Sequence, residues 1–278
     1  MTSYLYPYTQ ESINLNSTDN HILTIQYSLD GLSFVIFDVT AQKFVALKHY
    51  HFSEKNIPFN VLISELQDKE SWKIDDFQSV NLIIDNNSNT FIPEEYFQED
   101  IKDNYLSLLN IDNNSTIMTD FIQKHKIVNV YSSKDIKIPS DKVKIYHAST
   151  ILVNNLLKEF SSRNAETRAF VNVKNNSYEL TILNNDNLIF HNYFKFNTKE
   201  DFLYFILFTF DQLNIDNESI PLYFMGFIEE KSSIVELCSR YVRNIRFFNR
   251  NNDYNYITEL DSVPYYYYYT LYSSISCE

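Results

Sequence analysis

The nearest approach to a metal site in this sequence is a pair of histidines. His49 and His51 lie two apart in a segment with strand alternation, so their imidazoles are expected on one face of the strand. Zinc needs three or four protein ligands, and no third residue accompanies the pair at a ligand spacing. We therefore interpret the pair as part of a solvated strand face, and the sequence predicts no metal ion.

Candidate nucleophiles are equally few. No serine stands in a G-x-S-x-G elbow. Cys238 is predicted to be a small core residue of its helix, and Cys277 is a thiol close to the end of the chain. The sequence therefore predicts no catalytic residue.

Glycine is scarce in a way that excludes whole classes of site. The chain has only Gly31 and Gly226, where average usage would give roughly twenty glycines at this length. Phosphate-cradling loops need several glycines for close backbone approach and positive φ. P-loop and dinucleotide-binding fingerprints are thus excluded, and we predict no cofactor.

The charge balance argues against two kinds of partner. A net charge of -13 is unsuited to nucleic acid or to an anionic membrane surface, because both attract clustered Lys and Arg. The longest apolar stretch, Phe202–Phe208, is far shorter than the ~20 residues of a membrane span. Met1–Asn20 shows no signal-peptide pattern. We expect a cytoplasmic protein that binds neither nucleic acid nor membrane.

An aromatic run near the C-terminus favours a protein contact. Tyr265–Tyr269 are five consecutive tyrosines. They are expected in either a helix packed between the two lobes or a strand with one solvent-exposed face. Tyrosine is enriched at protein interfaces. We predict an interaction surface at Tyr266 and Tyr268 for an unidentified protein partner; the sequence does not indicate the oligomeric state.

The elements that would position these residues occur twice. Each copy is a three-strand meander followed by a helix, with period-two alternation in the strands. The first copy comprises Leu23–Tyr27, Leu32–Asp38, Phe44–Tyr50 and a helix from near Pro58; the second comprises Arg168–Lys174, Tyr178–Leu183, Leu188–Phe196 and a helix over Thr198–Leu213. The last helix is apolar on every face, which predicts burial on both sides, and Thr198 and Asp201 predict a capping box at its start.

Two further strands and helices follow each meander, which predicts an α/β protein made of two similar halves. Each half is expected to hold a mixed five-stranded sheet flanked by helices. The polar segment Ser161–Glu166 is the predicted joint, giving domains over residues 1–164 and 165–278.

This doubled pattern resembles the actin-like ATPase superfamily, whose two lobes are each ribonuclease-H-like. More closely, the chain is similar to a Bacteroidetes family described as a domain of unknown function with an actin-like fold. The matching segments are Leu23–Asp38, Phe194–Phe210, Tyr223–Phe227 and the terminal Cys277-Glu278. The resemblance implies an internally duplicated actin-like fold over nearly the whole chain.

The resemblance also implies three nucleotide-binding loops between the lobes, and this sequence departs from each of them. The corresponding positions are Asp30 and Gly31 in the first meander, Asn175 and Asn176 in the second, and a lone Gly226 where paired glycines are expected. In such ATPases, backbone N–H groups at these loops hold phosphate, and a nearby acid positions metal-bound water.

The strand positions that should carry those acids hold Thr24, Gln26 and Asn172. A neutral side chain cannot orient Mg²⁺ and water, and a two-metal nuclease of the ribonuclease H type would lack its first-strand acid beside Asp85. The sequence therefore favours a non-catalytic binding or scaffold protein with degenerate nucleotide motifs. The alternatives are a nucleotide-binding ATPase or kinase-like enzyme of this superfamily, and a protein that holds nucleotide without turnover.

Overall fold

The structure, a computed structural model, describes residues 3–4, 8–9, 19–28, 31–52, 59–109, 111, 115–133, 136, 140–160, 166–250 and 253–276. The chain divides into two compact units. Unit 1 comprises Met1–Leu152, Asn251–Ser262 and Thr270–Glu278; unit 2 comprises Val153–Arg250 and Val263–Tyr269. The domain boundary predicted after residue 164 lies outside the described residues and stays a prediction.

The strands and helices alternate along the chain. The strands are β1 Ser3–Tyr4, β2 Tyr8–Thr9, β3 His21–Ser28, β4 Gly31–Asp38, β5 Lys43–His51, β6 Ser79–Asp85, β7 Asn89–Pro93, β8 Thr116–Ile122, β9 Ile127–Ser133, β10 Val143–His147, β11 Thr167–Val173, β12 Ser177–Asn184, β13 Asn187–Lys195, β14 Pro221–Gly226, β15 Asn244–Phe247 and β16 Asn255–Tyr256. The α-helices are α1 Phe59–Glu70, α2 Ala148–Phe160, α3 Lys199–Gln212, α4 Ser233–Cys238 and α5 Tyr269–Ser273.

Unit 1 is built on a mixed sheet in the order β5-β4-β3-β6-β10. β3, β4 and β5 form the predicted antiparallel meander, and β6 and β10 run parallel to β3. The short strands β1, β2 and β16 add to β5. In β4 every residue from Gly31 to Phe37 is buried, as expected of a strand covered on both faces.

Unit 2 repeats this topology in a five-stranded sheet ordered β13-β12-β11-β14-β15. β11, β12 and β13 are the antiparallel meander, and β14 and β15 run parallel to β11. The predicted internal duplication and the mixed sheets are therefore confirmed.

An additional three-stranded antiparallel sheet, ordered β7-β9-β8, interrupts unit 1 between β6 and β10. The sequence predicts one helix over Glu94–Leu109, and this prediction is wrong, because the segment forms 3-10 helices at Glu94–Tyr96 and Glu99–Leu106. Of the second segment only Leu106 is buried, in a small core with Ile92, Val128 and Val130. One buried residue does not give a long helix a face to pack, and Asp and Asn side chains compete for its backbone.

Helix α3 packs one face on the sheet of unit 2. The ring of Phe202 lies 4.4 Å from that of Tyr178, and Ile206 and Phe210 are also buried. At its start Thr198 Oγ1 accepts from the Asp201 amide at 3.0 Å while the Asp201 carboxylate accepts from the Thr198 amide at 3.1 Å, so the predicted capping box is confirmed.

The opposite face of α3 is exposed, so the predicted all-round burial is wrong. Tyr204 and Phe208 keep 58% and 48% of their surface accessible. The sequence does not reveal which face of α3 is buried and which is exposed, because the helix has no polar stripe that marks an outer face. Among the described residues, no helix combines the length and apolar character needed to cross a membrane.

The two faces of α3 predict opposite effects of the same substitution. Ile206 is fully buried, so Ile206→Asp would bury an unpaired carboxylate and cost several kcal/mol, comparable with the stability of a whole domain. Phe208→Asp, two residues along the helix and on the exposed face, should change the free energy of unfolding by less than about 1 kcal/mol.

Circular dichroism melts of both variants would check this division. We expect insoluble or unfolded protein for Ile206→Asp and a cooperative transition near that of the parent for Phe208→Asp. A well-folded Ile206→Asp protein would contradict the packing of α3 on the sheet.

Candidate functional site

The first of the three nucleotide-loop positions lies between β3 and β4. Asp30 lies outside the described residues. Gly31 begins β4, where a Cβ atom would come within 2.4 Å of the backbone oxygen of Tyr50 on β5. Its amide donates to Ser28 Oγ at 3.2 Å. This glycine is therefore required by the close approach of two strands of its own sheet.

Thr24 and Gln26, which occupy the positions where the resemblance expects acids beside this hairpin, are both bonded within unit 1. Gln26 Nε2 donates to the carboxylate of Asp85 at 2.8 Å, where β3 and β6 end side by side. Thr24 is fully buried, and its hydroxyl lies 2.8 Å from Ser274 Oγ. Asp85 is itself only 8% exposed. Ligands of α/β folds bind at the carboxyl ends of parallel strands. Here the Asp85 carboxylate and the Thr24 hydroxyl are bonded to Gln26 and Ser274 of the chain itself.

The histidine pair is not the solvated strand face that the sequence suggested. His49 is buried, and its Nδ1 lies 2.7 Å from Ser33 Oγ on β4. Burial, and then the neighbouring His51, lower the pKa of His49 to about 4, so its imidazole is neutral at pH 7. No group of three or more His, Cys, Asp or Glu residues that could hold a metal occurs within the described part of the chain.

A polar cluster that the sequence pattern does not reveal surrounds Asp120 on β8. The Asp120 carboxylate accepts hydrogen bonds from the His147 amide at 2.8 Å, Thr150 Oγ1 at 2.7 Å and the Tyr131 hydroxyl at 3.1 Å. Asn129 extends the network by donating to Thr150 at 2.9 Å. The carboxylate thus lies at the N-terminus of α2, where the helix dipole favours negative charge.

Asp120 is nevertheless an electrostatic cost to unit 1 at neutral pH. Burial raises the pKa of its carboxyl to about 6, and the hydrogen bonds from His147, Thr150 and Tyr131 offset only part of that shift. Burial, followed by the charge of Asp120, also raises the pKa of Tyr131. The only sequence signal for this cluster was an acid within an otherwise strand-like segment.

The second nucleotide-loop position, between β11 and β12, holds another buried carboxylate. Asn175 and Asn176 form the exposed turn. Asn172, at the expected acid position, instead donates from Nδ2 to Glu179 Oε2 at 3.0 Å. Lys174 Nζ lies 3.4 Å from the same oxygen, and the Glu179 side chain is only 2% exposed. The negative charge therefore lies on Glu179 of the neighbouring strand β12, where Lys174 forms an ion pair with it.

His191 completes this buried set in unit 2. Its Nε2 lies 3.9 Å from Glu179 Oε1, and its Nδ1 lies 2.9 Å from the hydroxyl of Thr181. Burial lowers the pKa of His191 to about 4, against the raising effect of Glu179, so the imidazole is neutral at pH 7. The neutral imidazole of His191 can orient the Thr181 hydroxyl, but it offers no positive charge to a ligand.

The third position, Gly226, is packed against its own sheet. Its φ is +82°, and a Cβ atom would lie 2.2 Å from the backbone oxygen of Val173 and 2.8 Å from Asn172 Oδ1. The Gly226 amide donates to the backbone oxygen of Tyr266 at 2.8 Å. The structure thus brings together the predicted positions Asn172, Gly226 and Tyr266, and the space beside the glycine is filled by the chain.

The predicted interaction residues Tyr266 and Tyr268 are buried, at 7% and 6% exposure, so the exposure that this prediction required is absent. Their rings lie 4.8 Å from Phe247 and 5.2 Å from Phe227 respectively. Of the run only Tyr265 is exposed. The sequence also predicts a final helix over Val263–Ser273, with Pro264 in its first turn. The structure confines this helix to α5, because Tyr268 adopts a positive φ of 56° that a right-handed helix does not allow. A partner contact through these rings stays a prediction.

The packing of Gly226 predicts a large effect of one methyl group. Gly226→Ala combines a strained positive φ with a clash against β11, so we expect a loss of about 2–4 kcal/mol in the free energy of unfolding, without any ligand. Urea unfolding would measure this loss. Asn176→Ala, in the exposed turn, should stay within about 0.5 kcal/mol of the parent. A fully stable Gly226→Ala protein would show that the space beside the glycine is open.

The raised pKa of Asp120 predicts a stability that falls as pH rises. The folded value of about 6 exceeds the usual 3.8, so the native state holds the proton more tightly between these pH values. Above pH 6 the ionised group costs about 3 kcal/mol. Asp120→Asn cannot ionise and still accepts from His147 and Thr150.

Urea unfolding from pH 4 to pH 7 would test this linkage. The stability of Asp120→Asn relative to the parent should increase over that range by up to about 3 kcal/mol. Asp103→Asn, which removes an exposed acid of the same unit, is the control for the loss of one carboxylate. A pH-independent difference for Asp120→Asn would overturn the electrostatic interpretation.

Comparison with solved structures confirms the fold. The structure is similar to a protein of Bacteroides thetaiotaomicron VPI-5482 described as having an actin-like ATPase fold and unknown function, with a TM-score of 0.78 and 17% identity over 96% of this chain and 100% of that chain. It is also similar to a chain of a PilM-PilN type IV pilus biogenesis complex, with a TM-score of 0.63 and 8% identity over 92% of this chain and 98% of that chain. At such identities the likeness establishes the fold alone.

No curated protein matches this sequence. A family match covers residues 10–245, which is most of the chain and includes the described strands of both meanders. The resemblance drawn from the sequence is therefore confirmed. The chain belongs to the family described as "Protein of unknown function (DUF3822)".

Proposed function

We propose that this protein is a non-catalytic binding or scaffold protein of actin-like fold, whose nucleotide loops no longer hold nucleotide. The observation that carries the proposal is the packing of Gly226. A glycine at this position serves a nucleotide only if its open side faces the ligand. Here that side lies against Val173 and Asn172, and the amide is bonded to Tyr266.

The charges beside the two hairpins support the same conclusion. A Mg²⁺-bound phosphate needs carboxylates that are free to orient the metal and its water. Asp85 accepts from Gln26, and Glu179 accepts from Asn172 and pairs with Lys174. Recruiting either acid would break its bond to a half-buried amide or ammonium group, which costs free energy.

The alternative, a nucleotide-binding ATPase or kinase-like enzyme, has one feature in its favour. Asp85 and Glu179 are carboxylates beside the hairpins that the actin-like resemblance assigns to phosphate. An enzyme of this kind would have to exchange their internal bonds for contacts to metal and water on binding. The test below separates this enzyme from a protein that holds nucleotide without turnover.

The role that remains for such a fold is to bind another protein. We propose an unidentified protein partner; the cytoplasmic location predicted from the sequence stays a prediction. Because the surface predicted at Tyr266 and Tyr268 is buried, the partner would use other residues unless that segment rearranges.

Thermal denaturation with millimolar Mg-ATP tests the proposal. A ligand at 100 times its dissociation constant adds about 2.7 kcal/mol of stability, or a few degrees in a protein of this size. We expect no shift beyond that produced by magnesium chloride alone, and no release of phosphate.

A clear shift would overturn the proposal. Phosphate release in the same samples would then indicate an enzyme, and its absence would indicate a nucleotide held without turnover. Asn172→Ala should abolish such a shift if the second hairpin binds the phosphates. Gly226→Ala is unsuitable for this purpose, because its own cost in stability would mask the effect of a ligand.

A further inference from the structure

The exposed face of α3 carries aromatic side chains at helical spacing. Tyr204 and Phe208 lie four residues apart, with ring centroids separated by 5.9 Å and ring planes inclined by only 18°. Phe205 beside them is half-buried and stacks on Phe194 of β13 at 5.0 Å. We name Tyr204 and Phe208 the α3 aromatic pair; it is anchored to a rigid element and is already ordered by stacking.

Exposure of this pair is unfavourable in an isolated chain. Fully burying a side chain of this size is worth about 1.5–3 kcal/mol relative to leaving it in water. Exposed apolar groups gathered in one place are typical of interaction sites, whereas a scattered exposed residue needs no explanation. Tyrosine and phenylalanine also lose few rotamers when they become fixed in an interface.

Acidic residues surround the α3 aromatic pair along the same stripe of the helix. Glu200 lies one turn before Tyr204, and Asp211 lies one turn after Phe208; both are exposed. The two carboxylates are eleven positions apart, about 16 Å along the axis. The only basic residue of the helix, Lys199, projects roughly 140° away from Tyr204. The face is therefore aromatic at its centre and negative at both ends.

This arrangement disfavours two of the three occupants such a face could have. In a two-fold antiparallel pairing of α3 with a second copy, Tyr204 would meet the copy's Phe208, and Asp201 would meet the copy's Asp211. Like charges placed opposite one another destabilise such a contact. An anionic membrane surface would likewise repel Glu200 and Asp211.

We infer that the α3 aromatic pair is a docking site for a basic amphipathic helix of a partner protein. The complementary helix has apolar side chains one turn apart, which cover Tyr204 and Phe208. It carries Lys or Arg before and after these apolar side chains along the helix, at a spacing that reaches Glu200 and Asp211. The inference supplies a partner class for the binding role proposed above, but the docking itself does not depend on whether the loops hold nucleotide.

A fluorescence anisotropy titration with synthetic peptides tests the inference on the full-length protein. The probe is a labelled amphipathic peptide with leucines at positions i, i+4 and i+7 and lysines on both flanks. One control peptide has glutamate in place of every lysine, and another has the same composition in an order without helical periodicity. We expect saturable binding of the first peptide only.

Matched variants locate the binding on the protein. Tyr204→Ala with Phe208→Ala should weaken binding at least about tenfold, as expected for central aromatic anchors. Glu200→Lys with Asp211→Lys should weaken it comparably and reduce its dependence on salt. Tyr96→Ala, at an exposed tyrosine of unit 1, is the control and should leave binding unchanged. Melting temperatures are measured for all variants, so that loss of fold is not mistaken for loss of contact.

Several results would overturn the inference. One is the absence of binding at millimolar peptide. Another is equal binding of the aperiodic lysine peptide, which would reflect only the net charge of -13. A third is an unchanged affinity in folded α3 variants. A dimer seen by sedimentation and abolished by Phe208→Ala would assign the face to a second copy instead. A failed Mg-ATP test leaves these outcomes unaffected, so the two proposals stand or fall separately.

Discussion

The architecture of each unit depends on one parallel strand pairing. In it, the first strand of the meander pairs with the strand that comes after the helix following the meander. β3 pairs with β6, and β11 pairs with β14, each in continuous register. A parallel connection requires a crossover, here made by α1 and α3, and the crossover covers one face of the sheet. The second meander strands, β4 and β12, lie inside their sheets and are buried along almost their whole length. The parallel pairing brings the ends of β3 and β6 together, which places Gln26 next to Asp85.

The same burial governs the chemistry of the polar groups. A carboxylate enclosed in this way must have donors, and three buried acids find them within the chain. Asp85 accepts from Gln26, Asp120 accepts from three donors including the His147 amide, and Glu179 accepts from Asn172 and pairs with Lys174. In each case a bond that a ligand or metal could use is made internally. The fold of an actin-like ATPase is thus compatible with loops that stabilise the protein itself.

Helix α3 stabilises unit 2 with one face, and the docking site inferred above lies on the other face. Its inner residues, among them Phe202 and Ile206, fill the core of unit 2, which fixes the orientation of the helix. Because that orientation is fixed, Tyr204 and Phe208 are held outward at a defined spacing. The acids at the two ends of the stripe add a charge pattern that an apolar surface alone would lack.

The sequence by itself determined the features that depend on local periodicity and local hydrogen bonds. The two meanders follow from the alternation of apolar residues, and the capping box of α3 follows from the spacing of Thr198 and Asp201. The neutral residues Thr24, Gln26 and Asn172, at the positions where the resemblance expects acids, are also visible in the sequence, because they concern which residue types are present. Tertiary structure decided the rest. The donors to Asp120 and the burial of Tyr266 and Tyr268 come from contacts between distant segments, and the outward face of α3 depends on which side the sheet covers. Such contacts leave no periodic signal, since the residues that meet are fixed by packing and not by their spacing along the chain.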